Sequence, residues 1–393
     1  LNSENSTSST SPLEPFGSAV VDRLLAGQFG PAGTWLLPNG QLVLPSVFGF
    51  CSGVKRALAM AGKAMGDHAK TCADSGGEII LLGEIIHNPW VNNYFRNRGC
   101  AILSRAQCDD VEQHVGPGDV AIIPAFGLAL PIERKLAKIG CRTIDCSCGD
   151  VIRLWQWSTQ EAREGFGVLI FGRAMHDETV VTKTRLAAAG GQYLVVENLD
   201  QVRSFAKMLA NCDDDFASQF QKTFPRHATN AQDISPFEKL AQVSQTTMLY
   251  NDTLQVREIL SGAFVERFGG ELDQRLRFQP TVCRATQDRQ NAAVELCKSR
   301  CDLVIVVGGF GSSNTRHLHE LARQWAPAYL IEDAQAIISA EVLRAWSPAT
   351  HSAFDATDWL RSTRPLRIGV LAGASSPEIV IGQVLQRLAE FLQ

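Results

Sequence analysis

Three cysteine segments carry residue types able to hold a thiolate. Gly49-Phe50-Cys51-Ser52-Gly53-Val54 sets a Cys between glycines at the mouth of a helical pattern. Free backbone N–H groups and the helix dipole favour the thiolate there. The plainer reading is a buried Cys in a tight turn. Asp145-Cys146-Ser147-Cys148-Gly149 follows an apolar run and again leads into a helical pattern. Of Cys146 and Cys148, one is expected to face any given site. Thr281-Val282-Cys283-Arg284-Ala285-Thr286 is the third case, with a helix expected from Gln287. Single thiolates spaced this widely can converge on an iron–sulfur cluster. Three thiolates on four irons leave one iron open, as a catalytic metal site requires. Cys297 and Cys301 are four apart on an expected helix and read as core or surface thiols.

Two Gly/Ser loops suit an anion. Val306-Val307-Gly308-Gly309-Phe310-Gly311-Ser312-Ser313-Asn314 is a strand that ends in such a loop before a helix, and Gly373-Ala374-Ser375-Ser376-Pro377 repeats the design. Glycines admit close approach, and hydroxyls with helix N-termini donate to phosphate oxygens. Ser is also a common helix N-cap. Neither loop matches the P-loop or dinucleotide fingerprint. Proton donors stand at His87-Asn88-Pro89 and His176-Asp177-Glu178-Thr179, each after an expected strand. Imidazole can donate to phosphate and Glu can deliver a proton. Gln245-Thr246-Thr247 can bridge a hydroxyl to such a Glu. His317 and His319 lie in a polar helix and read as solvated. The His-x-Glu pattern of zinc deaminases lacks its Pro-Cys-x-x-Cys partner here.

Short apolar runs alternate with helical periods along the chain. Strands are expected at 79–86, 120–124, Arg142–Asp145, 168–171, Tyr193–Val196, Leu303–Val307, Ala328–Ile331 and 368–371. Helices are expected at 54–66, 253–268, 287–299, 316–324 and 377–392. This alternation implies an α/β fold with mostly parallel sheets. Residues 1–13 are Ser/Thr/Asn-rich without an apolar core, which suits a disordered tail rather than a secretory signal. Residues 211–236 read as a polar surface insertion, and 348–365 as another loop.

The 393 residues are 45% hydrophobic and 20% charged, a balance that suits a globular protein of two or three domains. Lys+Arg at 37 against Asp+Glu at 41 gives a net charge of −4. That excludes a basic nucleic-acid binder but not a pocket for a small anion. No apolar run is long enough to span a membrane. The 11 cysteines, an odd number, argue against a closed disulfide framework and for a reducing compartment.

Taken in order, the segments GFCSGV, GEIIHNPWVN, IIPAFG, DCSC, HDETV, SQTTM, CRATQDRQ, VVGGFGSSNT and AGASSPE resemble one family, 4-hydroxy-3-methylbut-2-enyl diphosphate reductase (LytB/IspH). The resemblance runs from about Phe48 to the C-terminus, and IIPAFG, HDETV and GGFGSSN are similar to its cyanobacterial and plant-like subgroup. It implies a trefoil of three α/β domains around a [4Fe-4S] cluster, with Cys51, Cys148 and Cys283 as ligands and one open iron. It implies Glu178 and Thr246 as the catalytic proton pathway. It implies His87, His176, Thr246, Thr247, Ser312, Ser313, Asn314 and Ser375 as substrate-binding residues.

The implied domains are an extension at 1–40 that is disordered or loosely ordered, α/β domains at 41–148, 149–282 and 283–372, and a closing segment at 373–393. The implied reaction is the two-electron reductive dehydroxylation that ends the methylerythritol phosphate route. Its products are isopentenyl and dimethylallyl diphosphate, and ferredoxin or flavodoxin is the electron donor. The expected protein is a cytoplasmic monomer or homodimer (in the plastid stroma if the source is a plant or alga), without membrane or nucleic-acid partners. The chain departs from the family pattern at Cys146, Gly149 and Arg284, beside the implied ligands. Two rivals share the cluster: a paralogue acting on another small phosphorylated substrate, and a non-catalytic redox or oxygen sensor that has no use for Glu178.

Overall fold

The computed structural model describes residues 11–71, 76–211, 215–360 and 365–393. The chain forms two compact units, each built of parallel strands with helical crossovers. The first takes the chain up to Gly76, then His87–Arg98 and Ala292–Gln393; the second takes Gly77–Ile86 and Gly99–Asn291.

The first unit holds a seven-stranded sheet in the order Thr34–Leu37, Gly40–Val43, Leu366–Ala372, Leu303–Val307, Ala328–Ile331, Val342–Ser347, Ser352–Thr357. Its four strands from Gly40–Val43 to Ala328–Ile331 run parallel, with one antiparallel strand on one side and an antiparallel pair on the other. Side chains alternate along Leu303–Val307: Leu303, Ile305 and Val307 enter one core cluster, Val304 and Val306 the other. A strand buried on both faces reads as an unbroken apolar run, which is why it is visible in sequence. Helix Glu378–Phe391 lays Val384, Leu385 and Leu388 on the first of these faces.

The second unit holds two four-stranded sheets, both wholly parallel. Their orders are Ala101–Ile102, Ile79–Leu81, Val120–Ile123, Arg142–Asp145 and Leu276–Phe278, Leu240–Ser244, Gly167–Phe171, Tyr193–Val196. The strands expected at Arg142–Asp145, Tyr193–Val196, Leu303–Val307 and Ala328–Ile331 form over those residues. Among the described residues no helix is long and apolar enough to cross a membrane.

Several expectations are corrected. The described part of the 1–40 extension is ordered: helix Ala19–Leu25 buries Val21 and Leu24 in the sheet core, and strand Thr34–Leu37 pairs with Gly40–Val43. Phe16 sits against Phe50, Trp90 and Tyr94 at ring separations of 5.6, 5.8 and 4.9 Å. Gly40–Val43 pairs in parallel with Leu366–Ala372, so the chain around residue 41 shares a sheet with the C-terminal strands rather than with 77–148. The supposed 211–236 insertion contains helix Asp215–Thr223, and Phe220 and Phe224 pack into a core with Phe205 and Phe237. In 348–365, strand Ser352–Thr357 forms a hairpin, and Trp359 is buried with its Nε1 donating to the Ser339 carbonyl at 3.0 Å. His317 and His319 are buried rather than solvated, His319 Nε2 lying 3.1 Å from the Ala328 carbonyl. Helix Arg284–Lys298 ends before Cys301, which nonetheless joins Cys297 in one core cluster. Residues 1–10, 72–75, 212–214 and 361–364, with Cys72 and Cys212 among them, lie outside the described residues.

Candidate active site

In the second unit, the predicted acid and its partners come from the carboxyl ends of adjacent parallel strands. Strand Gly167–Phe171 runs into the loop that carries His176, and its neighbour Leu240–Ser244 runs into Gln245-Thr246-Thr247. Open α/β sheets place ligands beyond such strand ends. His176 caps helix Asp177–Ala188, its Nδ1 accepting from the Glu178 N–H at 3.3 Å. A neutral ring accepting at Nδ1 carries its proton on Nε2, where it can donate to an anion.

Glu178 is 2% exposed, and a carboxylate so buried requires hydrogen-bond donors. Thr246 supplies two. Its N–H donates to Glu178 Oε1 at 2.7 Å and its Oγ1 to Oε2 at 2.6 Å. The Thr246 carbonyl accepts from the Cys283 N–H at 3.0 Å, so acid, hydroxyl and thiol-bearing residue form one hydrogen-bonded chain. Thr247 Oγ1 takes a bond from Gln245 Nε2 at 2.7 Å. Phe126 meets the His176 ring edge to face at 5.8 Å.

The first unit gathers the other predicted anion ligands. Leu303–Val307 and Leu366–Ala372 are parallel neighbours, with Val307 beside Ala372, so their Gly/Ser loops leave the sheet together. Ser312 caps helix Ser313–Ala322 by accepting from the Thr315 N–H at 3.3 Å. Asn314 Oδ1 accepts from the Ala374 N–H at 3.1 Å, which turns its amide N–H₂ away from that bond. Ser375 Oγ lies 3.4 Å from the His87 carbonyl. The glycines are required by space. A Cβ on Gly309 would overlap the His87 carbonyl, and one on Gly308, whose φ is 152°, would come within 2.6 Å of Ser376 Oγ and Thr315 Oγ1. The Thr315 hydroxyl between these loops is buried without a partner.

The cysteines divide by environment. Of nine described cysteines, only Cys51, Cys141, Cys148 and Cys283 are half-buried rather than buried. Burial pushes the Cys100, Cys108 and Cys297 thiols up to about 11 and raises Cys141 and Cys301 as well. Cys51, Cys148 and Cys283 each stand immediately before a helix. Cys51 Sγ receives the Val54 N–H at 3.4 Å, Cys148 is the N-cap of Gly149–Arg163, and Cys283 Sγ lies 3.2 Å from Thr286 Oγ1. Thr286 is a partner that sequence reasoning missed, although a hydroxyl in the first helical turn was the available signal. Cys146 is wholly buried, so the strand-end geometry turns Cys148 rather than Cys146 toward an opening.

Three half-buried thiols at helix starts are the donor chemistry that an iron–sulfur cluster takes. Among the described residues no three His, Cys, Asp or Glu side chains gather tightly enough to hold a single metal ion. A cubane makes no such demand, because its thiolates bind separate irons. A separate cleft of about 960 Å³ in the second unit, lined by Glu133, Trp155 and Arg185 among others, includes none of the predicted site residues.

The family model described as LytB protein matches residues 42–389 of this chain. A 4-hydroxy-3-methylbut-2-enyl diphosphate reductase from Picosynechococcus is 32% identical over 351 residues, 88% of this chain and 83% of that one. The Thermosynechococcus vestitus protein of the same name is 32% identical over 378 residues, 95% of this chain and 89% of that one. Among solved structures, (E)-4-hydroxy-3-methyl-but-2-enyl diphosphate reductase, the terminal enzyme of the non-mevalonate pathway, aligns with a TM-score of 0.52 at 26% identity, covering 89% of this chain and 99% of that one. The E-1-hydroxy-2-methyl-but-2-enyl-4-diphosphate reductase from Plasmodium falciparum shares the fold, with a TM-score of 0.64 at 22% identity over 89% of this chain and 88% of that one.

Proposed function

The chain belongs to the LytB protein family, and from that premise we propose that it reduces 4-hydroxy-3-methylbut-2-enyl diphosphate to isopentenyl and dimethylallyl diphosphate. The allylic C–O bond breaks, two electrons and two protons enter, and the oxygen leaves as water. We propose Cys51, Cys148 and Cys283 as ligands of a [4Fe-4S] cluster. When bound, such a cluster supplies electrons one at a time and an open iron as Lewis acid.

The observation that carries the reading is the buried Glu178–Thr246 pair. A carboxylic acid is a poor donor across a gap, but a hydroxyl both accepts and donates. Once Glu178 is protonated the contact reverses: its O–H donates to Thr246 Oγ1 while that hydroxyl passes its own proton to the departing oxygen. The separation of 2.6 Å between the two oxygens suits this exchange. His176 through Nε2, together with His87, Thr247, Ser312, Ser313, Asn314 and Ser375, would hold the diphosphate. These donors are neutral side chains and backbone N–H groups at helix starts, so a net charge of −4 is no obstacle. A sensor would have no use for a buried acid wired to a hydroxyl, and this disfavours that rival. Ferredoxin or flavodoxin in a reducing cytoplasm would supply the electrons.

The test is anaerobic turnover after cluster reconstitution, with iron and sulfide determined beforehand. Reduced viologen should be oxidised only when the hydroxymethylbutenyl diphosphate is added, and both isoprenoid diphosphates should form. A full complement of iron and sulfide without viologen oxidation would overturn the assignment.

A further inference from the structure

The loop 172–176 joins strand Gly167–Phe171 to the helix that carries Glu178, and it is held by side chains from outside itself. The Arg173 N–H donates to Gln245 Oε1 at 3.1 Å, and the Ala174 N–H to Glu197 Oε1 at 3.0 Å. The Ala174 carbonyl accepts from Lys183 Nζ at 2.8 Å, and the Met175 carbonyl from Arg105 Nη1 at 3.4 Å. Gly172 lies so close to Gln245 that a Cβ would come within 2.7 Å of the Gln245 Cβ.

These ties are unequal. Glu197 and Arg105 are exposed, so water competes for their bonds, and Gln245 is neutral. Lys183 is both charged and buried. It lies on the same helix as Glu178, and its ammonium holds a second carbonyl, that of His227, also at 2.8 Å. Burial lowers its pKa, and the like charge of Arg105 lowers it further. A neutral donor would make the same two bonds without placing an ammonium in the interior. The charge makes each bond stronger, roughly twice a neutral one. Ala174 is thereby tied to a segment far away in sequence.

We infer that Lys183 is a positioning residue for the proton donor: its ammonium clamps Ala174 to His227 and so fixes the loop that carries His176 against the helix that carries Glu178. The inference rests on the reading of Glu178 as the acid. Displacing a reacting group by about 1 Å costs on the order of 100-fold in rate.

The test compares Lys183→Met, Lys183→Ala and Glu178→Gln with the wild-type holoenzyme. Lys183→Met should lose about 100-fold in kcat while its iron and sulfide content stays normal. Adding n-propylammonium to Lys183→Ala should restore at least about tenfold of the lost rate, which a merely structural loss would not allow. A Lys183→Met enzyme within about threefold of wild type, or a loss of rate that only tracks loss of cluster, overturns the proposal. Full turnover by Glu178→Gln would instead sink the acid reading. Should the Met variant fail to fold, NMR of the 15N-labelled wild type decides: a slowly exchanging Lys183 ammonium resonance supports the clamp, and a freely exchanging one overturns it.

Discussion

The Glu178 region of the second unit and the Gly/Ser loops of the first are built by opposite means. Around Glu178 the geometry is set by side chains: Thr246 holds both carboxylate oxygens, His176 takes the Glu178 N–H, and Lys183 and Gln245 tie the loop behind them. In the Gly308–Asn314 and Gly373–Ser376 loops the geometry is set by what is missing. Absent Cβ atoms let one backbone lie against another. The contrast follows from the two tasks. A proton must leave one atom for another, so a few atoms must be placed closely. A diphosphate spreads its charge over many oxygens and asks for a concave array of donors.

The comparison can be broken most severely at the thiols. Cys148→Ser should abolish iron binding and all turnover, whereas Cys146→Ser should keep the cluster and lose only about 1 kcal/mol of core packing. Iron content of the two purified variants checks this; cluster loss in Cys146→Ser alone would reverse the assignment. Next comes the hydroxyl. Thr246→Val should reduce kcat by about 100-fold and Thr246→Ser far less, because Ser keeps the Oγ while Val removes it. A loss in Thr246→Ser as large as that in Thr246→Val would mean that the hydroxyl is not what carries the effect, and a loss in Ser with none in Val would put it on the methyl group.

Gly309→Ala sharpens the other half of the contrast. The added Cβ meets the backbone carbonyl of His87, which has no rotamer to escape into, so stability should fall by about 1–3 kcal/mol. KM should rise while a reconstituted cluster remains, as thermal melts and steady-state kinetics would reveal. The smallest effect is expected at Gly149. It is the first residue of helix Gly149–Arg163, with nothing within 4 Å of a built Cβ, and Cys148 before it is extended at φ −67° and ψ 139°. Pro suits that position. Gly149→Pro should gain about 0.4–1 kcal/mol in denaturant unfolding without changing iron content.

What was readable in the sequence follows the same division. Strands such as Leu303–Val307 are buried on both faces, so their apolar runs mark them directly, and the loops after them carry their glycines and serines openly. Strand alternation puts residues two apart on one face and so does not separate Cys146 from Cys148; the strand ends at Asp145, and beyond it Cys146 is buried while Cys148 is half-buried. Phe16, Phe220 and Phe224 escaped notice because their polar neighbours masked them, and the other rings that bury them, Phe50 and Trp90 for the first and Phe205 and Phe237 for the pair, lie well apart in sequence. Arg284, beside an implied ligand, has a side chain that is 92% exposed and 3.7 Å from Asp288, so solvent screens its charge. Lys183 could not be singled out from sequence, since its partners are backbone carbonyls, which every residue carries.

The central claim is that Glu178 delivers the proton through Thr246. The most direct test is Glu178→Gln, which keeps the side chain's shape and removes the acid. Reconstituted with a full complement of iron and sulfide, this variant should turn over at least about 100-fold more slowly than wild type while still binding the diphosphate substrate. Wild-type turnover by that variant would contradict the account.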